Sequence, residues 1–281
     1  MKRAAMTIVV LALASGAFAQ QPATKDQPAA QSAPAQPAQG KRPPQAKTQP
    51  EFDAYKAAAA NQDPAALMKA ADDFATKFPD SELRVILYKT AMRGFQQVND
   101  GDNMIEAGRK VLKIDPDDPE ALVGVAEVLA ERTRDTDLDK DQRLDEAMKL
   151  AQRATETIDT DIAVPAGTPQ DKIDAYKGFL RSTAYSIMGT IQYNRDKYPD
   201  AENFYRKSID AYPSQPDPVA VLRLALSLDK QNKYPEALKE ANHAVELTQD
   251  GTPAGKLARQ EKDRLVQLTG GSTPPANPPK K

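Results

Sequence analysis

Residues 185–213 read YSIMGTIQYNRDKYPDAENFYRKSIDAYP. Apolar side chains recur in this stretch at three- and four-residue spacing, the period of a helix with one buried face. Tyr185, Met188 and Gly189 lie in its first half, Ala201 and Tyr205 in its second, and Pro213 closes it. The surrounding residues, 51–269, are rich in Ala, Leu, Lys, Glu and Gln, all good helix formers. None of their segments alternates strictly between apolar and polar, so the body is expected to be helical throughout.

The same arrangement returns along the chain. Residues 221–247 give Leu224, Ala225 and Leu228, then Tyr234, Ala237, Ala241 and Ala244; residues 88–116 give Tyr88, Ala91 and Phe95, then Met104, Gly108, Val111 and Pro116. Residues 122–158 give Leu122, Val125, Ala126 and Leu129, then Ala147, Ala151 and Ala154 after a longer intervening stretch. Residues 52–79 form a degenerate first unit with Phe52, Tyr55, Leu67, Ala71, Phe74 and Pro79, and residues 253–268 a terminal helix covering the last unit.

An aromatic followed by an apolar-Gly pair, a later Ala-x3-aromatic and a closing Pro resembles the tetratricopeptide repeat, over most of 51–269. The resemblance implies an all-α solenoid of tandem helix-turn-helix repeats. Its Gly and Ala are small because the two helices of a hairpin cross closely there, and its Pro ends the second helix. Phe78-Pro79-Asp80-Ser81 also looks like the unit ending of exported bacterial repeats of this type, including outer-membrane assembly and Tol–Pal-associated proteins.

In this family the first helix of each hairpin lines a concave wall that holds an extended peptide or a helix. Carried onto this chain, the wall would comprise Lys89, Arg93 and Gln97, then Glu127, then Ser186, Thr190, Tyr193 and Asn194, and finally Leu222, Arg223, Leu226 and Lys230. The expected partner is a protein or peptide. Some family members clamp a C-terminal carboxylate with Lys and Asn; Lys89, Asn194 and Arg223 do not reproduce that pattern.

Two stretches depart from the repeat. In ERTRDTDLDKDQRLDEA (131–147), Asp135, Asp137, Asp139, Asp141 and Glu146 fall at the first, third, fifth, seventh and twelfth places of an EF-hand-type calcium loop. Lys140 stands where glycine makes the sharp turn, and Arg143 near the ninth place. The plain alternative is a solvated acidic loop ahead of a helix N-terminus, which favours carboxylates. An alternative function follows from this stretch: a calcium-dependent or carbohydrate-processing envelope protein using 135–146. The second departure is a helix running from Pro169 to about 195, with Thr168 as its N-cap. Its extra turns carry Ile173, Tyr176, Phe179 and Leu180, which the long connection in 131–147 is the nearest candidate to cover.

Other chemistry is narrowed by composition. The chain of 281 residues has no Cys, no Trp and one His, with net charge −2. Disulfides, thiol catalysis, Cys-based zinc and multi-His metal sites are excluded. No electrostatic footprint for nucleic acid is present. The sequence also lacks a glycine phosphate loop, HExxH and GxSxG, so neither a cofactor nor enzymatic activity is expected. Residues 1–19, MKRAAMTIVVLALASGAFA, combine Lys2 and Arg3, an apolar run and Ala17-Phe18-Ala19; they read as a cleaved export signal, giving a periplasmic or secreted protein with no integral membrane segment. Residues 20–50 and 270–281 hold seven and four prolines and no Leu, Ile, Val, Met or aromatic, and read as disordered tails. With Lys2 and Arg3, a +3 balance in 20–50 and Lys280 and Lys281, the body is left at −9 between basic tails. A weak contact of those tails with an anionic envelope surface is a secondary expectation.

Overall fold

The computed structural model describes residues 40–270, so the stretch read as an export signal, the first part of the proline-rich arm and residues 271–281 lie outside the described residues. Five antiparallel helical hairpins follow one another: α1 (Gln49–Ala59) with α2 (Pro64–Lys77), α3 (Leu83–Gln97) with α4 (Gly101–Ile114), α5 (Pro119–Arg132) with α6 (Lys140–Thr157), α7 (Gln170–Asn194) with α8 (Tyr198–Ala211), and α9 (Pro218–Asp229) with α10 (Tyr234–Leu247). A terminal helix, α11 (Pro253–Thr269), packs on α9 and α10. Each hairpin packs on the next in chain order, which makes an α-solenoid of tetratricopeptide-like repeats.

Helix starts are written in the sequence as acid–proline pairs. The Ala66 N–H donates to Asp63 (2.8 Å), that of Ala121 to Asp118 (2.9 Å) and that of Val219 to Asp217 (2.9 Å), each beside a proline in the first turn. The side chain satisfies an orphan donor while proline presets the helical φ. The repeat pattern expects prolines to close the units. Pro79, Pro116 and Pro213 do follow helix ends, but Pro64, Pro119, Pro218 and Pro253 open helices instead.

The turn inside three hairpins is the same turn. Asn99, Asp196 and Asn232 take left-handed backbone conformations, with φ of 58°, 56° and 60°. The next N–H then reaches back: Asp100 to Phe95 O (2.9 Å), Lys197 to Gln192 O (2.9 Å) and Lys233 to Leu228 O (3.0 Å). These bonds satisfy carbonyls that the ending helix leaves open. Between α5 and α6 this tight turn is replaced by residues 133–139.

No single core forms. Successive apolar clusters bridge neighbouring hairpins, the first around Leu87, Phe95 and Val111, the next around Leu129, Leu144, Ile158 and Ile191, and the third around Tyr205, Leu224, Leu228 and Leu265. At the α7–α8 crossing the buried Ser208 hydroxyl donates to the Ser182 carbonyl (2.8 Å).

Two expectations are corrected here. Thr168 does not cap α7; its hydroxyl donates back to the Pro165 carbonyl (2.8 Å) and Pro169 takes the cap position. The extra turns of α7 are covered by the link leading into it: Ile158, Ile162 and Val164 share a cluster with Tyr176, Phe179 and Leu180. The 133–139 connection covers nothing comparable, and its Leu138 is fully exposed.

The arm also differs from the composition reading. Of the 20–50 stretch, the described part is seated on the helical body: the Lys41 N–H donates to Ile162 O (3.2 Å), Arg42 pairs with Glu82 (2.6 Å), and Lys47 Nζ donates to the Asp80 carbonyl (2.9 Å). Composition tests only apolar burial, and this segment is held by charge and backbone bonds.

Candidate functional site

The first helices of the hairpins, α3, α5, α7 and α9, carry the residues expected to face a partner. Lys89 and Arg93 project from α3 onto the start of α5. Lys89 Nζ lies 2.7 Å from Asp118 and 3.0 Å from Glu120; Arg93 grips Glu120 through Nε and, at 2.6 Å, through Nη2. The Tyr176 hydroxyl, from the extra turns of α7, donates to the same carboxylate at 3.0 Å. Burial alone would push the Glu120 carboxyl up, but Lys89 and Arg93 outweigh it and hold it at about 2. Burial would likewise draw the Lys89 ammonium down, and Glu120 and Asp118 raise it instead. Glu120 therefore ties three hairpins together, with Lys89 largely covered and the half-exposed Arg93 held in its pair. Gln97 is exposed at the end of α3, and Glu127 is half-buried on α5.

Three of the expected wall residues are buried and out of a partner's reach in this conformation. Ser186 and Thr190 lie inside the α7 packing surface, with the Thr190 hydroxyl donating to the Ser186 carbonyl (2.9 Å). Leu222 packs into a cluster with Val221, Ala244 and Ala258. One residue's rotation on a helix decides between wall and interface, and repeat alignment alone does not resolve it.

The other residues of α7 and α9 are accessible. Tyr193 is half-buried and stands edge-on to Tyr198 with ring centroids 5.3 Å apart; Asn194 beside it is exposed. Arg223 is half-buried, and its guanidinium donates to the Thr190 hydroxyl, which the Tyr205 hydroxyl also approaches at 3.4 Å. Leu226 is half-buried and Lys230 exposed one turn further on. Burial, then the charges of Asp229 and Glu261, raise the Tyr193 phenol. Asp217, the cap of α9, is raised by burial against the lowering influence of the Val219 N–H and Arg223.

Helix α11 completes the strip in a way its reading as a cover did not include. Arg264 reaches Asp229 (2.5 Å) and Glu261 (3.0 Å), and Glu261 is buried. Glu120, Tyr176, Asp217, Glu261 and Arg264 all escape repeat alignment. Asp217-Pro218 was legible as a helix cap; Glu120 and Tyr176 meet across 56 residues with no local signal.

In the acidic insertion the five carboxylates weighed as a calcium loop do not come together. Lys140 Nζ occupies Asp135 (2.7 Å), and Asp137 accepts the Arg134 N–H (2.8 Å). Asp139 ends at the cap of α6, while Asp141 and Glu146 already lie on that helix, Glu146 paired with Arg109 (2.8 Å). Among the described residues no group of three or more His, Cys, Asp or Glu is arranged to hold a metal ion. His243 is half-buried on α10, 3.8 Å from Glu240. Asp72 and Asp117 are likewise taken by partners on neighbouring helices, Lys110 (2.6 Å) and Arg153 (2.7 Å). Among the described residues no helix is long and apolar enough to cross a membrane.

No protein-family model matches the chain, and no curated protein matches it in sequence. Among solved structures it is similar to a crystal structure of the MamA protein, with 16% identity over 70% of this chain and 89% of that one, and a TM-score of 0.49. PilW, described as a widely conserved type IV pilus biogenesis factor, gives 17% identity over 80% and 96%, with a TM-score of 0.46. TTC0263, a thermophilic TPR protein of Thermus thermophilus, gives 12% over 78% and 100%, with a TM-score of 0.44. At these values the likeness says nothing of what this chain binds.

Proposed function

We propose that this protein is a non-enzymatic interaction scaffold that holds an extended or helical segment of a protein partner along the wall formed by α7 and α9. One observation carries the reading. Lys89 and Arg93 of α3 are both paired with Glu120, whereas Tyr193, Asn194, Leu226 and Lys230, with the half-buried Arg223 held by Thr190, leave an aromatic, an apolar and several polar groups along one strip. A half-buried aromatic beside an arginine is the composition of an interface anchor, since tyrosine buries large area at two torsions and arginine offers a planar fork of donors. An exported location and a role in envelope assembly belong to the same reading, supported by the pattern of residues 1–19 and the Phe78–Ser81 turn.

The test is crosslinking and pull-down from the native envelope with the unaltered chain and with Tyr193→Ala/Arg223→Ala. The same helical content and loss of specific crosslinked bands in the double variant are expected. Recovery of an identical set of proteins by both chains would overturn it, and N-terminal sequencing of the mature protein checks export separately.

A further inference from the structure

The arm described by residues 40–47 follows a defined track. Gly40 has φ 134°, and a Cβ there would stand 2.8 Å from the Ile162 carbonyl oxygen, so only glycine lets the backbone lie this close. Lys41 makes a single parallel bridge with Ala163, and its ammonium reaches Asp115 (2.5 Å) and Asp161 (3.8 Å). Arg42 Nη2 and the Gln45 N–H both donate to Glu82, at 2.6 and 3.2 Å, and Lys47 reaches the Asp80 carbonyl at 2.9 Å.

These contacts fall in the turns that join one hairpin to the next: 158–169 after the third, 115–118 after the second, and 78–82 after the first. The arm therefore retraces the stack from third hairpin to first. Two hairpin spacings of ~10 Å each amount to ~20 Å, the full reach of six extended residues. Pro43 and Pro44 hold the middle of that span in an extended form, with no N–H that needs a partner. At one end Lys41 and Arg42 meet the carboxylates of Asp115, Asp161 and Glu82, and at the other Lys47 meets the Asp80 backbone carbonyl.

We propose that this turn edge, comprising the Glu82, Asp115 and Asp161 carboxylates and the Asp80 and Ile162 carbonyls, is a binding site for a basic extended segment of the Lys-Arg-Pro-Pro kind. The arm fills it in cis. The hold combines a few backbone bonds with ion pairs, Arg42 at 59% exposure on Glu82 at 40% and Lys41 at 39% on Asp115 at 14%; no large apolar side chain anchors the arm, and exposed pairs are individually weak. The helices beneath are anchored by buried apolar clusters, so the arm leaves far more readily than any hairpin opens. A partner segment of the same chemistry then takes its place. The site lies on the turn edge, away from Tyr193 and Arg223, and stands independently of the reading of the α7–α9 wall.

The experiment uses the full chain with Lys41→Glu, Arg42→Glu and Lys47→Glu, which repels the arm from the edge. The probe is a labelled peptide of residues 39–48, QGKRPPQAKT, at low ionic strength. Expected is binding to this variant at least tenfold tighter than to the unaltered chain. The binding is lost in ~0.5 M salt, where the Debye length is only a few ångströms, and a peptide with its three basic residues changed to Glu does not bind. Equal binding of both peptides, or none of the native peptide to a variant with full helical content, overturns the proposal. Should the variant lose its helices, hydrogen exchange on the unaltered chain decides. The Lys41 and Gln45 amides must exchange faster as salt rises while those of α3 and α5 do not; constant protection across salt overturns it.

Discussion

Gly189 of α7 lies directly beneath the ring of Tyr205 of α8, so close that a Cβ on it would stand 2.7 Å from Tyr205 Cε1. Tyr205 is fully buried, so its ring has nowhere to retreat. Alanine at 189 gains ~1 kcal/mol of helix propensity over glycine and loses about 1–3 kcal/mol to overpacking. Gly189→Ala is therefore expected to be destabilising in urea unfolding, and Gly189→Val more so. Gly189→Ala combined with Tyr205→Leu should recover part of the loss relative to the sum of the two single changes, because the smaller side chain removes the clash.

Glu120 is the common partner of Lys89, Arg93 and Tyr176, and its folded pKa of about 2 lies below the ordinary 4.5. A depressed carboxyl contributes stability that is complete above the unfolded value and disappears as pH falls through the folded one. The window is thus about pH 4.5 down to 2. The side chain is 14% exposed, and the shift corresponds to roughly 3 kcal/mol. Glu120→Gln should lower stability at pH 7 by about that amount and flatten the acid limb of the stability–pH curve. An unchanged slope in the variant would mean the cluster contributes nothing to the folded state.

The left-handed turns give a cleaner test. Asn99 has φ 58°, and its carbonyl oxygen accepts from Arg132 (2.7 Å), a bond that survives any side-chain change. Asn99→Ala places a Cβ residue without a helpful side chain in a conformation costing roughly 1 kcal/mol, whereas Asn99→Gly should be near neutral. Asn232→Gly should fare worse than Asn99→Gly, because the Tyr234 hydroxyl donates to the Asn232 side chain at 2.6 Å. Thermal melts of the three variants at one concentration separate these outcomes.

What the sequence conveys and what it hides divide along the same physical line. Helical period, small residues at crossings such as Gly189 and Ala201, and hairpin order are local or regularly spaced, and they were legible. Asn99, Asp196 and Asn232 recur at equivalent places, and their residue types favour the left-handed turn. The cover over the extra turns of α7 could not be read, because Ile158 and Ile162 look like the end of one repeat until their cluster with Leu180 is known. Ion pairs such as Lys89 with Glu120 join residues with no periodic relation. Those pairs lock two of the wall residues taken from the repeat pattern, and a one-residue rotation on the helix buries three others.

Helix α11 distinguishes a true repeat cover from a trailing segment. Leu265 and Leu268 stand three residues apart on it, the first fully buried in the cluster of Leu224, Leu228 and Leu238 and the second 51% exposed. Leu265→Ala should cost about 2–5 kcal/mol, the range for a leucine removed from a packed site. Leu268→Ala should stay within about 0.5 kcal/mol, as surface changes do. In a stacked array the loss at an end propagates first to its neighbour. Hydrogen exchange in Leu265→Ala should therefore rise in α10 and α9 before α3 and α4. A uniform rise across all hairpins would instead mean the array unfolds as one unit, with α11 contributing to every part of it.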